Sequence, residues 1–178
     1  MLGGNWVLHR EYQHAVIRAS LLEGEVYAVK DDGGEIASVA YWFGPDSCLF
    51  GSKAQRQLGF DTFFRKLSLE TQIWWVDTYP RTVERLRPRV LSDEESNSLW
   101  WCYNLVTDAA ARKRGYGTAL IEAKYRQVAC NGQIIGLAAA PDENVRFYKS
   151  IGFKERGGTI MSSPTGNFPV HCFVKKPP

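Results

Sequence analysis

Three basic residues and two glycines stand together in Arg112-Lys113-Arg114-Gly115-Tyr116-Gly117, a combination that suits a phosphate group. Glycines two apart permit positive φ and let the backbone approach a ligand with no Cβ in the way. The flanking sequence reads as a strand over residues 100–107, then this turn, then a helix to about Ala129. A helix entered this way presents first-turn amides that have no intrahelical partner, and its dipole favours negative charge there. With cations beside it, the turn fits a diphosphate better than a single carboxylate. Two phosphate motifs fail on spacing. A Walker loop needs lysine and then serine or threonine after its last glycine, but Thr118 follows Gly117 directly. The dinucleotide fingerprint needs a third glycine where Leu120 stands. An ordinary basic helix start with a flexible entry would carry the same residues.

A second group lies downstream. Asn144, Phe147, Tyr148 and Ile151 fall at i, i+3, i+4 and i+7, one face of a short helix over residues 143–150. Asp142 suits its N-cap and Gly152 its C′ position. Asn144 and Tyr148 then share an inward face with two apolar residues, and polar groups in that setting need partners. A lone tyrosine there would by default be a half-buried core residue.

The two groups together carry a family resemblance. Arg112-x-x-Gly115-x-Gly117 resembles the acyl-CoA signature of the GNAT superfamily of N-acetyltransferases. Asn144-Val-Arg-Phe-Tyr148-Lys-Ser-Ile-Gly152-Phe resembles that superfamily's following helix and its FY-x-x-x-GF ending. The likeness covers the last half of the chain well and the first half only by order of elements. A long aromatic insertion suggests a fungal branch. The resemblance implies that Arg112, Lys113, Arg114, Gly115, Tyr116, Gly117 and Thr118 hold the pyrophosphate of acetyl-CoA or coenzyme A. It implies that Leu105, Val106 and Thr107 pair with the pantetheine arm like an extra strand, and that Asn144 contacts the arm. Tyr148 would protonate the leaving thiolate, with a strand amide near Leu105 or Val106 stabilising the oxyanion. The implied activity is direct transfer of an acetyl group to a primary amine of a small molecule or a protein. The base stays open among Tyr103, Asp108, Glu155 and a water relay. Lys113 stands where the family usually has glycine, Ala109 where it often has proline, and Ala138-Ala139-Ala140 end the second strand without a polar group. Two other readings stand beside this one: a non-catalytic acyl-CoA-binding or regulatory module, and a partner-binding domain that uses the aromatic insertion.

These groups must be held by a sheet. The strand at 100–107, the helix and a second strand over 133–139 form a right-handed crossover, so the two strands are expected to be parallel. The expected fold class is α/β (α+β): a GNAT-like mixed, mostly antiparallel sheet with a central parallel strand pair flanked by helices, lacking the family's first strand. Residues 6–22 read as an amphipathic helix that buries Val7, Val16, Ile17 and Leu21 and ends at Gly24. Strands over 25–30 and 35–43 flank Asp31-Asp32-Gly33-Gly34, a strong hairpin turn. Residues 44–98 read as an inserted segment. Leu58-Gly59-Phe60, Phe63-Phe64-Leu67 and Leu69-Ile73-Trp74 form its helical apolar faces, Pro80 and Pro88 punctuate its second half, and 93–98 is a polar loop. Arg81, Arg85, Arg87 and Arg89 form a solvated basic face or meet a phosphate. The insertion is expected to roof the acceptor pocket. Strands over 153–161 and 168–175 close the sheet.

Length and composition bound the rest. The 178 residues suit one domain. A net charge of +3 is too mild to argue for nucleic acid. No apolar run is long enough to span a membrane, and the start has no secretory signature. Four cysteines and three histidines lack metal-like spacing. The cysteines are expected to be reduced and buried, in a cytoplasmic or nuclear protein that is a monomer or homodimer. A catalytic Cys102 or Cys172 with His171 is disfavoured, because neighbours on a strand point to opposite faces.

Overall fold

A tight acidic turn starts the sheet. In a computed structural model of the chain, which describes residues 1–140 and 142–177, a 3-10 turn (Trp6–Leu8) leads into α1 (His9–Glu23), and α1 into β1 (Glu25–Lys30) and β2 (Ile36–Phe43). Asp31 Oδ1 accepts hydrogen bonds from the Gly33 and Glu35 amides at 2.9 and 3.0 Å, closing the β1–β2 hairpin. Among the described residues no strand precedes α1. The buried stripe of α1 differs from the expected one. Val7 and Leu21 are exposed, Ile17 is half-buried, and the buried residues are Ala15, Val16, Ala19 and Ser20. Val7 belongs to the 3-10 turn, so helical spacing does not link it to α1. The small side chains of Ala15 and Ala19 bring the helix close to Tyr41, Phe60 and Phe63, with which they share a core.

The segment after β2 is helical. α2 (Lys53–Gln55), a π-helical stretch (Arg56–Phe60) and α3 (Asp61–Arg65) follow one another, kinked at Gly59. α4 (Leu69–Ile73), a second π-helical stretch (Trp74–Thr78) and α5 (Tyr79–Val90) form one rod. Pro80 and Pro88 therefore lie inside a helix instead of breaking it. Pro80 falls in the first turn of α5, just after the widened π turn in which the Tyr79 amide reaches Trp74 O. That widening relieves the clash a proline imposes on the preceding turn. Phe60, Phe63, Leu67 and Trp74 are buried, whereas Leu58, Leu69 and Ile73 are exposed. Residues 93–98, expected as a loop, are α6 (Asp93–Ser98). Ser92 Oγ accepts from the Glu95 amide at 3.2 Å, and Glu95 Oε2 accepts from the Ser92 amide at 2.8 Å. This is a capping box, and its S-x-x-E spacing was present in the sequence.

β3 (Leu99–Thr107), a 3-10 turn (Ala109–Ala111), α7 (Tyr116–Ala129), β4 (Ile134–Ala139), α8 (Asp142–Ser150), β5 (Lys154–Met161) and β6 (Phe168–Lys175) complete the chain. The six strands run β1-β2-β3-β4-β6-β5. Among the described residues only β3 and β4 pair in parallel; the other neighbours are antiparallel. One face of the sheet packs on α7 and α8 through Trp42, Cys102, Ile121, Leu137 and Phe173. The other packs on α1 near β2 and on α5 near β4 and β6, where Leu86 and Val90 meet Ile134 and Val174. All four cysteines are free; Cys102 and Cys172 are buried, but Cys48 and Cys130 are exposed, against the expectation that all are buried. Among the described residues no helix is long and apolar enough to cross a membrane.

Two features of β3 shape the centre of the sheet. Its parallel pairing runs only from Leu99↔Ile134 to Cys102↔Leu137, although both strands continue. Its register with β2 slips between Tyr41↔Asn104 and Trp42↔Cys102, so Tyr103 is an extra, bulged residue. A bulge bends the strand and reverses the alternation of its side chains beyond it. Cys102 and Leu105 consequently share the α7 face.

Glu95 ties α6 to the end of the sheet. It is buried and takes Arg156 at 3.1 Å and also Lys176. The Lys176 contact is the main reason its carboxyl is held below the usual range. A depressed folded pKa gives stability that is present above the unfolded pKa and is lost as pH falls through the folded one. Glu95→Gln is expected to lower stability at pH 7 by about 1–3 kcal/mol, because its partners are partly exposed, and to flatten the acid limb of the stability curve. Thermal melts between pH 3 and pH 7, roughly spanning carboxylate titration, check this; parallel curves for the two proteins would contradict it.

Candidate functional site

The basic turn, the far end of β3 and the inner face of α8 enclose one cleft of ≈ 730 Å³. Leu105, Val106, Thr107, Arg112, Lys113, Gly115, Tyr116, Gly117, Thr118, Asn144 and Tyr148 all line it. Arg114 does not. Its guanidinium pairs with Asp32 at 3.2 Å and lies 5.3 Å from the centre of the Tyr116 ring. The β1–β2 turn thus draws one of the three cations away, a contact across 82 residues that local sequence does not show.

Local rules explain the turn. Gly115 is the left-handed N-cap of α7 (φ 85°), and no side chain caps that helix. The first helical hydrogen bond is donated by the Ala119 amide to Gly115 O at 2.9 Å. The amides of Tyr116, Gly117 and Thr118 precede it and face the cleft end of the helix. Lys113 adopts φ 61°, so the chain keeps the left-handed backbone at the position where glycine is usual, at a cost of roughly 1–2 kcal/mol. A Cβ on Gly117 would sit 3.5 Å from Thr107 Oγ1, 3.7 Å from Leu105 Cδ2 and 3.8 Å from Phe147 Cζ. It would fill the narrow floor between β3 and α8. A ligand with phosphates at the turn and an extended arm along β3 fits this shape.

The gap between β3 and β4 leaves one edge of β3 unpaired beyond Cys102↔Leu137. The Asp108 amide donates to Ala37 O at 2.9 Å, so Asp108 turns its backbone towards β2. Strand alternation then turns Val106 the same way, and Leu105 and Thr107 into the gap. Ser38 Oγ donates to Val106 O at 2.8 Å and meets Thr107 Oγ1 at 2.9 Å, fixing this end of β3 from the other side. Ser38 had no signal in the sequence. Phe147 and Ile151 also line the cleft, as their spacing with Asn144 and Tyr148 suggested.

Tyr148 is buried against Phe147, Phe153 and Phe173. Burial, with Cys102 adding a smaller effect, pushes its phenol pKa up, so its hydroxyl keeps its proton at neutral pH. Asn144 lies on the exposed rim of the cleft and not on the buried face expected for it. A Schellman closure ends α8, with the Phe153 amide on Tyr148 O at 3.1 Å and the Gly152 amide on Lys149 O at 3.2 Å. It fixes Tyr148 one turn from the helix end.

The candidate bases do not converge on the cleft. Tyr103 stands on the opposite sheet face, edge-on to Phe43 at 5.3 Å, and burial raises its pKa. Asp108 Oδ1 is engaged by the Ala110 amide at 2.9 Å. Glu155 pairs with Lys149 at 2.6 Å and with His171 Nδ1 at 2.7 Å, and these hydrogen bonds lower its pKa. A cysteine–histidine pair does not form either. Burial lifts the Cys102 thiol to about 12 and the Cys172 thiol to about 11, and His171 is held by Glu155. Arg81, Arg85, Arg87 and Arg89 are exposed on α5, away from the basic turn, with Arg81 paired to Asp77 at 2.7 Å. Among the described residues no group of three histidine, cysteine or acidic side chains is placed to hold a metal.

A mixed sheet with one pair of parallel strands that part at their ends, an uncapped helix start after the first of them and a buried tyrosine beside the gap make up a GNAT-like fold. Residues 72–155 match the family described as acetyltransferase (GNAT) domain. Solved structures agree with the fold. A Corynebacterium glutamicum protein described as histone acetyltransferase HPA2 and related acetyltransferase superposes with a TM-score of 0.60 at 20% identity, over 97% of this chain and 76% of that one. The ribosomal-protein-S18-alanine N-acetyltransferase of Escherichia coli gives 0.51 at 11% identity, over 94% and 86%. An N-acetyltransferase of Staphylococcus aureus Mu50 gives 0.52 at 15%, over 84% and 68%. No curated protein sequence matches the chain. Residues 72–155 thus match the GNAT domain, and the fold of the chain is GNAT-like.

Lys113→Gly removes the left-handed strain but loosens the unfolded chain, so it is expected to stabilise the protein by about 0.5–1 kcal/mol. Chemical denaturation of the two proteins checks this; a less stable variant would show that the Lys113 side chain makes a compensating contact.

Proposed function

We propose that this chain transfers an acetyl group from acetyl-CoA to a primary amine, acting as one GNAT-like domain over residues 1–178 with a helical insertion at about 44–98. The observation that supports this best is the gap beyond Cys102↔Leu137, which opens beside a helix start whose amides are uncapped. Acetyl-CoA supplies an activated thioester. The amides from Lys113 to Thr118, with Arg112 and the Lys113 ammonium, bind its pyrophosphate. Leu105 and Thr107 offer backbone groups to the pantetheine arm, and Asn144 contacts the arm from the rim. The Leu105 amide, which turns into the gap, suits the oxyanion better than that of Val106, which turns to β2. Tyr148 gives its proton to the departing thiolate.

A second reading, an acyl-CoA-binding or regulatory module without catalysis, is favoured by one observation. None of Tyr103, Asp108 and Glu155 lines the cleft. Tyr148→Phe separates the two, since it keeps the packing and deletes only the hydroxyl. An enzyme is expected to lose about 10–100-fold in kcat with unchanged affinity for coenzyme A. An unchanged kcat would remove Tyr148 from the mechanism. Tight binding with no turnover on any amine would favour the module.

A further inference from the structure

Tyr148 can act only where α8 puts it, and α8 has few holds on the rest of the fold. Of its nine residues Tyr148 alone is buried, with Val145 and Phe147 half-buried beside it. Its first turn, from Asp142 to Asn144, is exposed. Among the described residues its one ion pair is Lys149 with Glu155, and the Lys149 side chain is 51% exposed. Water screens such a pair, so it holds the helix weakly. The helix end has a further need. The Schellman closure uses the carbonyls of Tyr148 and Lys149, which leaves over the Ile151 carbonyl at the C-cap.

Lys175 takes that carbonyl. It is the last residue of β6, paired with Ile135 of β4, and its side chain is only 13% exposed. Its ammonium donates to Ile151 O at 2.9 Å and to the Glu122 carboxylate of α7. It also lies 4.4 Å from the centre of the Tyr125 ring, on the same helix. The stem runs close under Gly152, where a Cβ would touch Lys175 Cε at 3.6 Å. One nearly buried cation thus joins the end of α8, the second half of α7 and the end of β6. A cation at a helix C-terminus is favoured by the helix dipole, and one shielded from water is screened less than Lys149. The two helices it joins wall the cleft, α7 through Tyr116, Gly117 and Thr118, and α8 through Asn144, Phe147 and Tyr148.

We propose that Lys175 is a positioning residue for acyl transfer: it seats α8 against α7 and so places the Tyr148 hydroxyl at the sulfur of the departing thiolate. This rests on the acyl-transfer reading. Proton donation needs the hydroxyl within hydrogen-bond reach of the sulfur, and a displacement of about 1 Å can cost about 100-fold in rate. Tyr148 lies one turn before Ile151, so a shift of the helix end passes directly to it. The amides that face the anion site lie in the first turn of α7, and Lys175 holds that helix at Glu122 and Tyr125. Cofactor affinity therefore depends on Lys175 far less than the setting of Tyr148 does. Local sequence does not show the contact, since Lys175 is 24 residues from Ile151 and 53 from Glu122.

The test measures thiol release from acetyl-CoA with hydroxylamine as acceptor, a small nucleophile that is uncharged at neutral pH. Lys175→Met, which keeps the stem and removes the ammonium, is expected to lower kcat by at least about tenfold, while the calorimetric Kd for acetyl-CoA changes by less than about threefold. In a Tyr148→Phe background the same change is expected to cost nothing further, because it acts through the hydroxyl already removed. A purely structural role would lower the melting temperature and leave the kcat of the folded protein as it was. An unchanged kcat in Tyr148→Phe or in folded Lys175→Met, or losses that add in the double variant, overturns the positioning role and leaves acyl transfer standing. If Lys175→Met does not fold, Glu122→Gln decides. Its kcat is expected to fall by at least about threefold, with no further loss in the Tyr148→Phe background; an unchanged kcat overturns the positioning role. A folded wild-type protein that does not bind acetyl-CoA, or binds it and releases no thiol, overturns both.

Discussion

Parallel strands hold together only while their backbone groups exchange hydrogen bonds, and β3 and β4 stop exchanging them after Cys102↔Leu137. The bulge at Tyr103 bends β3 at the same point. Beyond it, the backbone groups of Leu105 and Thr107 are left without a strand partner in a region that α7 and α8 otherwise cover. Unpaired backbone groups near a protein interior are costly. They persist where a ligand or water takes the place of the missing strand. The cleft and the orientation of Leu105 both derive from this parting. The bulge also reverses side-chain alternation, placing Leu105 and Thr107 against Gly117 and Tyr103 on the opposite face.

The chemistry of the two sheet faces then differs. On the α7 face the uncapped helix start and the cations at Arg112 and Lys113 make a place for anionic charge. Burial keeps Tyr148 protonated beside it. On the α5 face Trp74 and Trp75 pack against Tyr79, and Phe43 stands edge-on to Tyr103. α5 is tied down in turn by its apolar contacts with β4 and β6 and by the Trp74 indole, which donates to Ser162 O across 88 residues.

Features set by local chemistry were legible in the sequence. The Asp31 turn, the glycine entry to α7 and the stripe of Asn144, Phe147, Tyr148 and Ile151 all depend on neighbours within a few residues. α6 reads as a loop from the polar composition of 93–98, although Ser92 and Glu95 have capping-box spacing. Features that depend on distant partners were not legible. Nothing near Tyr103 marks the bulge, since a bulge is a relation between two strands. Arg114 looked equivalent to Arg112 and Lys113 until Asp32, from another turn, claimed it. In α1, residue size misled: Val7 and Leu21 look like core residues, but close packing against β2 favours Ala15 and Ala19. Pro80 looked like a break because the π turn that accommodates it has no composition of its own.

The central claim is that the cleft beside the parted strands holds acetyl-CoA. Calorimetric titration of the purified protein with acetyl-CoA, beside a Gly117→Trp variant that fills the floor between Thr107, Leu105 and Phe147, tests it most directly. The account predicts one saturable site in the wild type and its loss in a variant that remains folded. A folded wild-type protein that does not bind, or a variant that binds equally well, would contradict it.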